Sequence, residues 1–111
     1  MNPAVIALAC ATPPHSTGQR QAARFAIDSG RLTGESARFA GLVYRRSGVQ
    51  RRASCLLDAT TADADGVSQR FYPAATGGRT PTTGARMARY AADAAALALR
   101  AAQAALRDAA P

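Results

Sequence analysis

Few side chains in this chain are of a kind that does chemistry: two cysteines, Cys10 and Cys55, one histidine, His15, and fourteen basic residues that are all arginine, with no lysine. A cysteine acts as a nucleophile through its thiolate, which needs a neighbouring imidazole or another positive group. Cys10 stands in an apolar stretch and His15 lies just beyond Pro13 and Pro14, at no spacing that makes a dyad. Nor do the two cysteines show the spacing of a metal site. They could close one disulfide, but a reduced cytosolic state is the better expectation. Each cysteine therefore reads as a structural or incidental thiol, and His15 as a solvated loop residue. The arginines carry the stronger signal. "YRRSGVQRR" places Arg45, Arg46, Arg51 and Arg52 within nine residues. Arginine's forked donors suit phosphate.

The elements that would position these residues must be built from unusual material. The chain has 111 residues and a formal charge of +7, so one domain at most fits. Alanine is abundant, while Leu, Ile, Val and Phe together number only 17. Burial stabilises by about 25 cal/mol per Å² of apolar surface, against roughly 1–2 kcal/mol of backbone entropy per ordered residue. So few large apolar side chains make a thin core: either much of the chain is loose alone, or it packs against further polypeptide. No positively charged n-region precedes the short apolar stretch at the start. The stretch is also far shorter than the roughly 20 residues of a membrane span. A cytoplasmic location, with no membrane contact, is expected.

"AVIALACATPP" reads as a strand over residues 4–11, buried on both faces and ended by the prolines. Ser16, three residues before Gln19, forms a capping-box pattern for a helix over 17–29, with Gly30 as its stop. A second helix is expected over 35–46, capped by Thr33 and stopped by Gly48, with Phe39, Leu42 and Val43 as its inward stripe. "VQRRASCLL" suits a strand, and 58–78 reads as loop. Pro81, with Thr82 or Thr83 as cap, opens a helix to about residue 109. On it Arg86, Arg89, Asp93, Arg100, Gln103 and Arg107 share one arc, Arg89 can pair with Asp93, and the wide apolar remainder predicts burial on most sides. The fold class is α/β, with one to two strands and about three helices.

Three stretches in this order, "ALACATPP", "YRRSGVQRR" and "PTTGARMARYAADAAALALRAAQAAL", resemble the N-terminal part of type III polyketide synthases, the chalcone and stilbene synthase family. The first resembles that family's opening strand and Ala-Thr-Pro turn. The second resembles its arginine-serine-glycine segment, and the third its helix before the nucleophile strand. The likeness is weakest over 58–78. The related ketoacyl synthase III and hydroxymethylglutaryl-CoA synthase enzymes fit the "PTT" helix less well. The resemblance implies an N-terminal fragment, spanning 1–111, of a thiolase-like fold in alternating layers, homodimeric when complete. Its activity would be acyl transfer, condensing a starter acyl-CoA with malonyl-CoA without a cofactor. The family's catalytic cysteine, histidine and asparagine have no counterpart here, so no catalytic residue is assigned and the chain alone is expected to be inactive. In plant members three basic residues near the end of the second helix contact CoA phosphates. Aligned on "RSGV", the last falls on Arg46, which becomes the candidate CoA-binding residue. The other two fall on Phe39 and Leu42, which cannot do that work; Arg38 and Arg45 are the available substitutes.

The competing class is a small basic binding module without catalysis, meeting a nucleic acid or a protein partner through "YRRSGVQRR" and the net charge. The aromatic residues are few and the arginines lie in every segment, which speaks against nucleic acid. A third class is an interaction fragment with no catalysis. Acyl-CoA binding separates the first class from the other two.

Overall fold

The computed structural model describes residues 1–62, 65–73 and 77–111. In chain order it holds strand β1 (Ser16–Gly18), helix α1 (Gln19–Ser29), helix α2 (Gly34–Arg46), strand β2 (Arg51–Ala53) and helix α3 (Thr83–Ala109). The α/β class thus stands. The strand expected over 4–11 is absent: residues 1–15 form no regular element, and Val5, Ile6 and Leu8 are exposed. An extended segment becomes a strand only where a neighbour accepts its ladder hydrogen bonds, and the described part of the chain offers this one none.

The helix expected from residue 17 starts two residues later, because a sheet claims Ser16 to Gly18. β1 pairs antiparallel with β2, with Ser16 opposite Ala53, Thr17 opposite Arg52 and Gly18 opposite Arg51. Arg51 strengthens the pair from its side chain: Nε donates to Ser16 Oγ at 3.0 Å and Nη2 to the Ser16 carbonyl at 3.2 Å. Gly18 becomes the N-cap of α1 and no side chain caps it, so the capping box of Ser16 and Gln19 does not form.

α1 stops at Gly30 as expected, but the left-handed residue of the turn is the next one. Gly30 takes the right-handed conformation, and the next residue, Arg31, carries a φ of 52°. Leu32 N–H donates to the Ile27 carbonyl and Arg31 N–H to the Asp28 carbonyl, the paired bonds of a Schellman turn. Gly30 serves differently: a Cβ there would lie 2.8 Å from the Ala26 carbonyl oxygen. At the end of α2 the expectation holds, with Ser47 as C-cap and Gly48 at φ 74°.

α2 folds back against α1. Its half-buried face is Ala37, Ala40, Gly41, Leu42 and Tyr44, whereas Phe39 and Val43 are exposed. The inward stripe is therefore shifted from the expected Phe39, Leu42 and Val43 toward smaller residues. With only α1 to pack against, the helix settles on the face that fits one neighbour.

α3 begins where the sequence places it. Thr82 Oγ1 accepts from Ala85 N–H at 3.1 Å, satisfying one free amide of the first turn. Arg89 Nε donates to Asp93 Oδ2 one turn on, and that hydrogen bond holds the Arg89 guanidinium above its usual pKa. Two arginines tie α3 to the rest: Arg89 Nη2 donates to the Cys55 carbonyl at 2.6 Å and Arg100 Nη2 to the Thr12 carbonyl at 2.7 Å. Burial on most sides does not occur; no residue of α3 is buried. No described helix is long and apolar enough to cross a membrane.

Within the expected loop 58–78, the described residues form turns, bends and one isolated bridge between Leu57 and Gln69; 63–64 and 74–76 lie outside the described residues. Phe71 and Phe25 both meet Tyr72 edge-on, at centroid separations of 5.2 and 6.1 Å. Leu57 is the one buried hydrophobic residue among those described, joined by Thr17 and Gln21. The radius of gyration is 17.6 Å. A compact chain of this length would have about 13 Å. The molecule is thus expanded, with principal extents of 57, 32 and 29 Å.

Candidate anion-binding groove

Two cavities flank α1. The smaller, about 500 Å³, lies between α1 and the segment around Leu57 and Tyr72. Several of its polar side chains are already engaged. Thr17 Oγ1 lies 3.3 Å from Thr61 Oγ1, Gln69 bonds both backbone groups of Tyr72, and Arg52 Nε donates to Gln19 Oε1. It reads as imperfect packing.

The larger is an open groove of about 810 Å³ between α1 and α2. Arg20 and Arg24 reach it from α1, and Arg38 and Arg45 from α2; Ile27, Phe39 and Leu42 supply apolar lining. The placement follows from helix geometry. Arg20 and Arg24 are one turn apart on one face, and Arg38 and Arg45 two turns apart on another. Asp28 and Glu35, the carboxylates of the two helices, do not line the groove.

One glutamine sets the angle between its walls. Gln19 Nε2 donates to the Tyr44 carbonyl and to Ser47 Oγ, both at 2.9 Å, while its Oε1 accepts from Arg52 Nε at 2.7 Å. Its backbone N–H donates to the Gln50 carbonyl at 2.9 Å. The Arg52 guanidinium lies 4.8 Å over the Tyr44 ring. The start of α1 is thereby fastened to the end of α2, so the two helices run antiparallel. Arg20 and Arg45 consequently sit at the fastened end of the groove.

Among the described residues, none of the four groove arginine side chains makes a hydrogen bond or an ion pair. Like charges gathered without counter-charge raise the local potential and attract anions. Arg46, the residue aligned with a CoA contact, is exposed, unpaired and outside the groove lining; Arg38 and Arg45, its expected substitutes, are inside. Sequence reasoning missed Arg20 and Arg24, although their spacing of four on a helix was a usable signal.

The remaining candidates are not brought together. Cys10 and Cys55 are both free thiols, the first exposed and the second half-buried. The His15 carbonyl accepts from Ser54 N–H, and no hydrogen bond joins its imidazole to either cysteine. The described residues contain no cluster of three His, Cys, Asp or Glu able to hold a metal. No known family matches the chain, and neither a curated protein nor a solved structure matches it.

Proposed function

We propose that this chain is the N-terminal part of a type III polyketide synthase, an acyltransferase condensing a starter acyl-CoA with malonyl-CoA. The three ordered sequence stretches suggest the reading, and the observation that carries it is uncovered apolar surface. Val5, Ile6 and Leu8 stand exposed near the start, and Met87, Tyr90, Leu99 and Leu106 stand exposed along α3. A helix and an apolar segment of this kind are stabilised when a sheet covers them, as the layers of a thiolase-like fold would. The complete enzyme would supply a catalytic cysteine, histidine and asparagine, would be a homodimer, and would meet CoA phosphate at Arg46. Sequencing the DNA that follows the codon for Pro111 tests the proposal. A Val/Ile/Leu-rich strand, then a cysteine followed by small residues, and much later histidine and asparagine segments are expected. Downstream DNA encoding none of these in any frame overturns it.

A second reading, a basic binding module without catalysis, is favoured by the unpaired groove arginines. It is the reading left standing if the downstream DNA encodes no such elements.

A further inference from the structure

We propose that α3 pairs antiparallel with the α3 of a second copy of this chain, through a stripe of Ala88, Ala92, Ala95, Leu99, Ala102 and Leu106, making a reversible homodimer. The pairing does not rest on the acyltransferase reading.

Three observations select this partner. The first is position. At about 100° per residue the six residues fall within an arc of roughly 80°. All six are exposed, Leu99 by 59% and Leu106 by 73%. Ala94, Leu97, Ala101 and Ala104, on the opposite side of the helix, are half-buried. A layer covering that opposite side leaves the stripe in water.

The second is register. The six residues stand alternately four and three apart, the 3.5-residue repeat of helices that wind around each other. In a parallel pair Leu99 and Leu106 would each meet their own copies, and would hold the helices apart where alanine meets alanine. In an antiparallel pair Leu106 comes opposite Ala88, Leu99 opposite Ala95 and Ala102 opposite Ala92. Each leucine then fills the space over an alanine. The stripe is thus complementary to itself, as the interface of a two-fold dimer must be.

The third is charge and area. The stripe contains no charged residue. The same antiparallel register brings Gln103 opposite Arg89 and Arg100 opposite Asp93 along one edge, while Ala91 and Ala98 line the other. The opposed helix dipoles attract. Arg86 and Arg107 approach each other only at the exposed ends, where salt screens them. The stripe runs for about 27 Å, and half the girth of a helix over that length is on the order of 450 Å² per copy. The pair would bury roughly 900 Å², at the low end of specific interfaces, which makes it a reversible dimer and not a permanent one.

Sedimentation equilibrium of the full chain tests the assignment, with circular dichroism recorded for every variant. A monomer–dimer equilibrium with Kd on the order of 10–100 µM is expected. It should tighten as salt rises, because each chain carries a net charge of +7. Leu99→Glu and Leu106→Glu should each weaken the dimer about tenfold or more, with helical signal retained because both residues are exposed. Tyr90→Glu, on the opposite side of α3, should leave the dimer unaltered. Direction is read by cross-linking in a Cys10→Ser, Cys55→Ser background. A mixture of Ala88→Cys and Leu106→Cys chains should oxidise to the mixed disulfide. Neither variant should cross-link to itself, since two copies of residue 88 in an antiparallel pair lie about 27 Å apart. A chain that stays monomeric up to roughly 500 µM would overturn the proposal. So would equal losses in the Leu99 and Tyr90 variants, or disulfides joining like to like as readily as unlike.

Discussion

Arg31 is the residue whose backbone costs most for what it does. A side chain in the left-handed region is strained by roughly 1–2 kcal/mol relative to its ordinary conformation. Arg31 holds φ 52° because the turn after α1 requires it, with Leu32 and Arg31 amides returning to the Ile27 and Asp28 carbonyls. Glycine there removes the strain but loosens the unfolded chain, which offsets part of the gain. Arg31→Gly should therefore raise stability by about 0.5–1 kcal/mol, seen as a higher urea midpoint of the helical circular dichroism signal. Arg31→Ala, which keeps a Cβ, should not. Arg46 makes a second residue-scale prediction, which rests on the proposed acyltransferase reading. Exposed and unpaired at the last turn of α2, it should contact CoA phosphate. Arg46→Ala is then expected to raise KM for CoA substrates by the equivalent of about 1.5–3 kcal/mol with kcat little changed. Steady-state kinetics at low salt read both quantities, and an unchanged KM would return Arg46 to the solvated surface.

At the scale of elements, two polar side chains do more than any apolar one. Gln19 joins α1, α2 and β2 through three side-chain hydrogen bonds. Gln19→Ala should cost about 1–2 kcal/mol, because the carbonyl and guanidinium left behind can still reach water. Gln19→Glu keeps the acceptor for Arg52 and loses the donor for the Tyr44 carbonyl and Ser47, so an intermediate effect is expected. Thr82 plays the corresponding part for α3. Thr82→Ala removes the acceptor for Ala85 N–H and should cost about 1 kcal/mol of helix stability, while Thr82→Ser should retain it. Amide hydrogen exchange in the first turn of α3 reports that loss directly, faster in the alanine variant and near wild type in the serine variant.

For the whole molecule, the balance is set by how little is buried. Leu57 is the one buried hydrophobic residue among those described, and no residue of α3 is buried. Cooperative unfolding requires elements that share a core, and α3 is tied to the rest through Arg89 and Arg100 bonds to backbone carbonyls. Thermal unfolding followed by circular dichroism should thus be broad, with strong helical signal at low temperature. A hydrophobic dye should bind before any melting. A sharp transition in a monomer would show that the apolar face of α3 is covered after all.

The helices and their stops were legible from local chemistry. A helix depends on periodicity and end groups within a few residues, which is why Thr82, Gly48 and the arc containing Arg89 and Asp93 could be placed from spacing alone. The β2 segment was legible for the same reason, as an extended run of suitable composition. Tertiary structure decided whatever required a partner. Residues 4–11 have strand composition, but a strand needs a neighbour's ladder, and the described residues supply none. Ser16 could cap a helix or pair with Ala53, and only the presence of β2 opposite it chose the sheet. The inward face of α2 shifted away from Phe39 and Val43 because one helix, rather than a core, lies against it. The arginine groove was likewise beyond sequence, since Arg20 and Arg24 become neighbours of Arg38 and Arg45 only when Gln19 fastens α1 to α2. Local chemistry acts along the chain, whereas a site assembled from two helices exists only once they are packed.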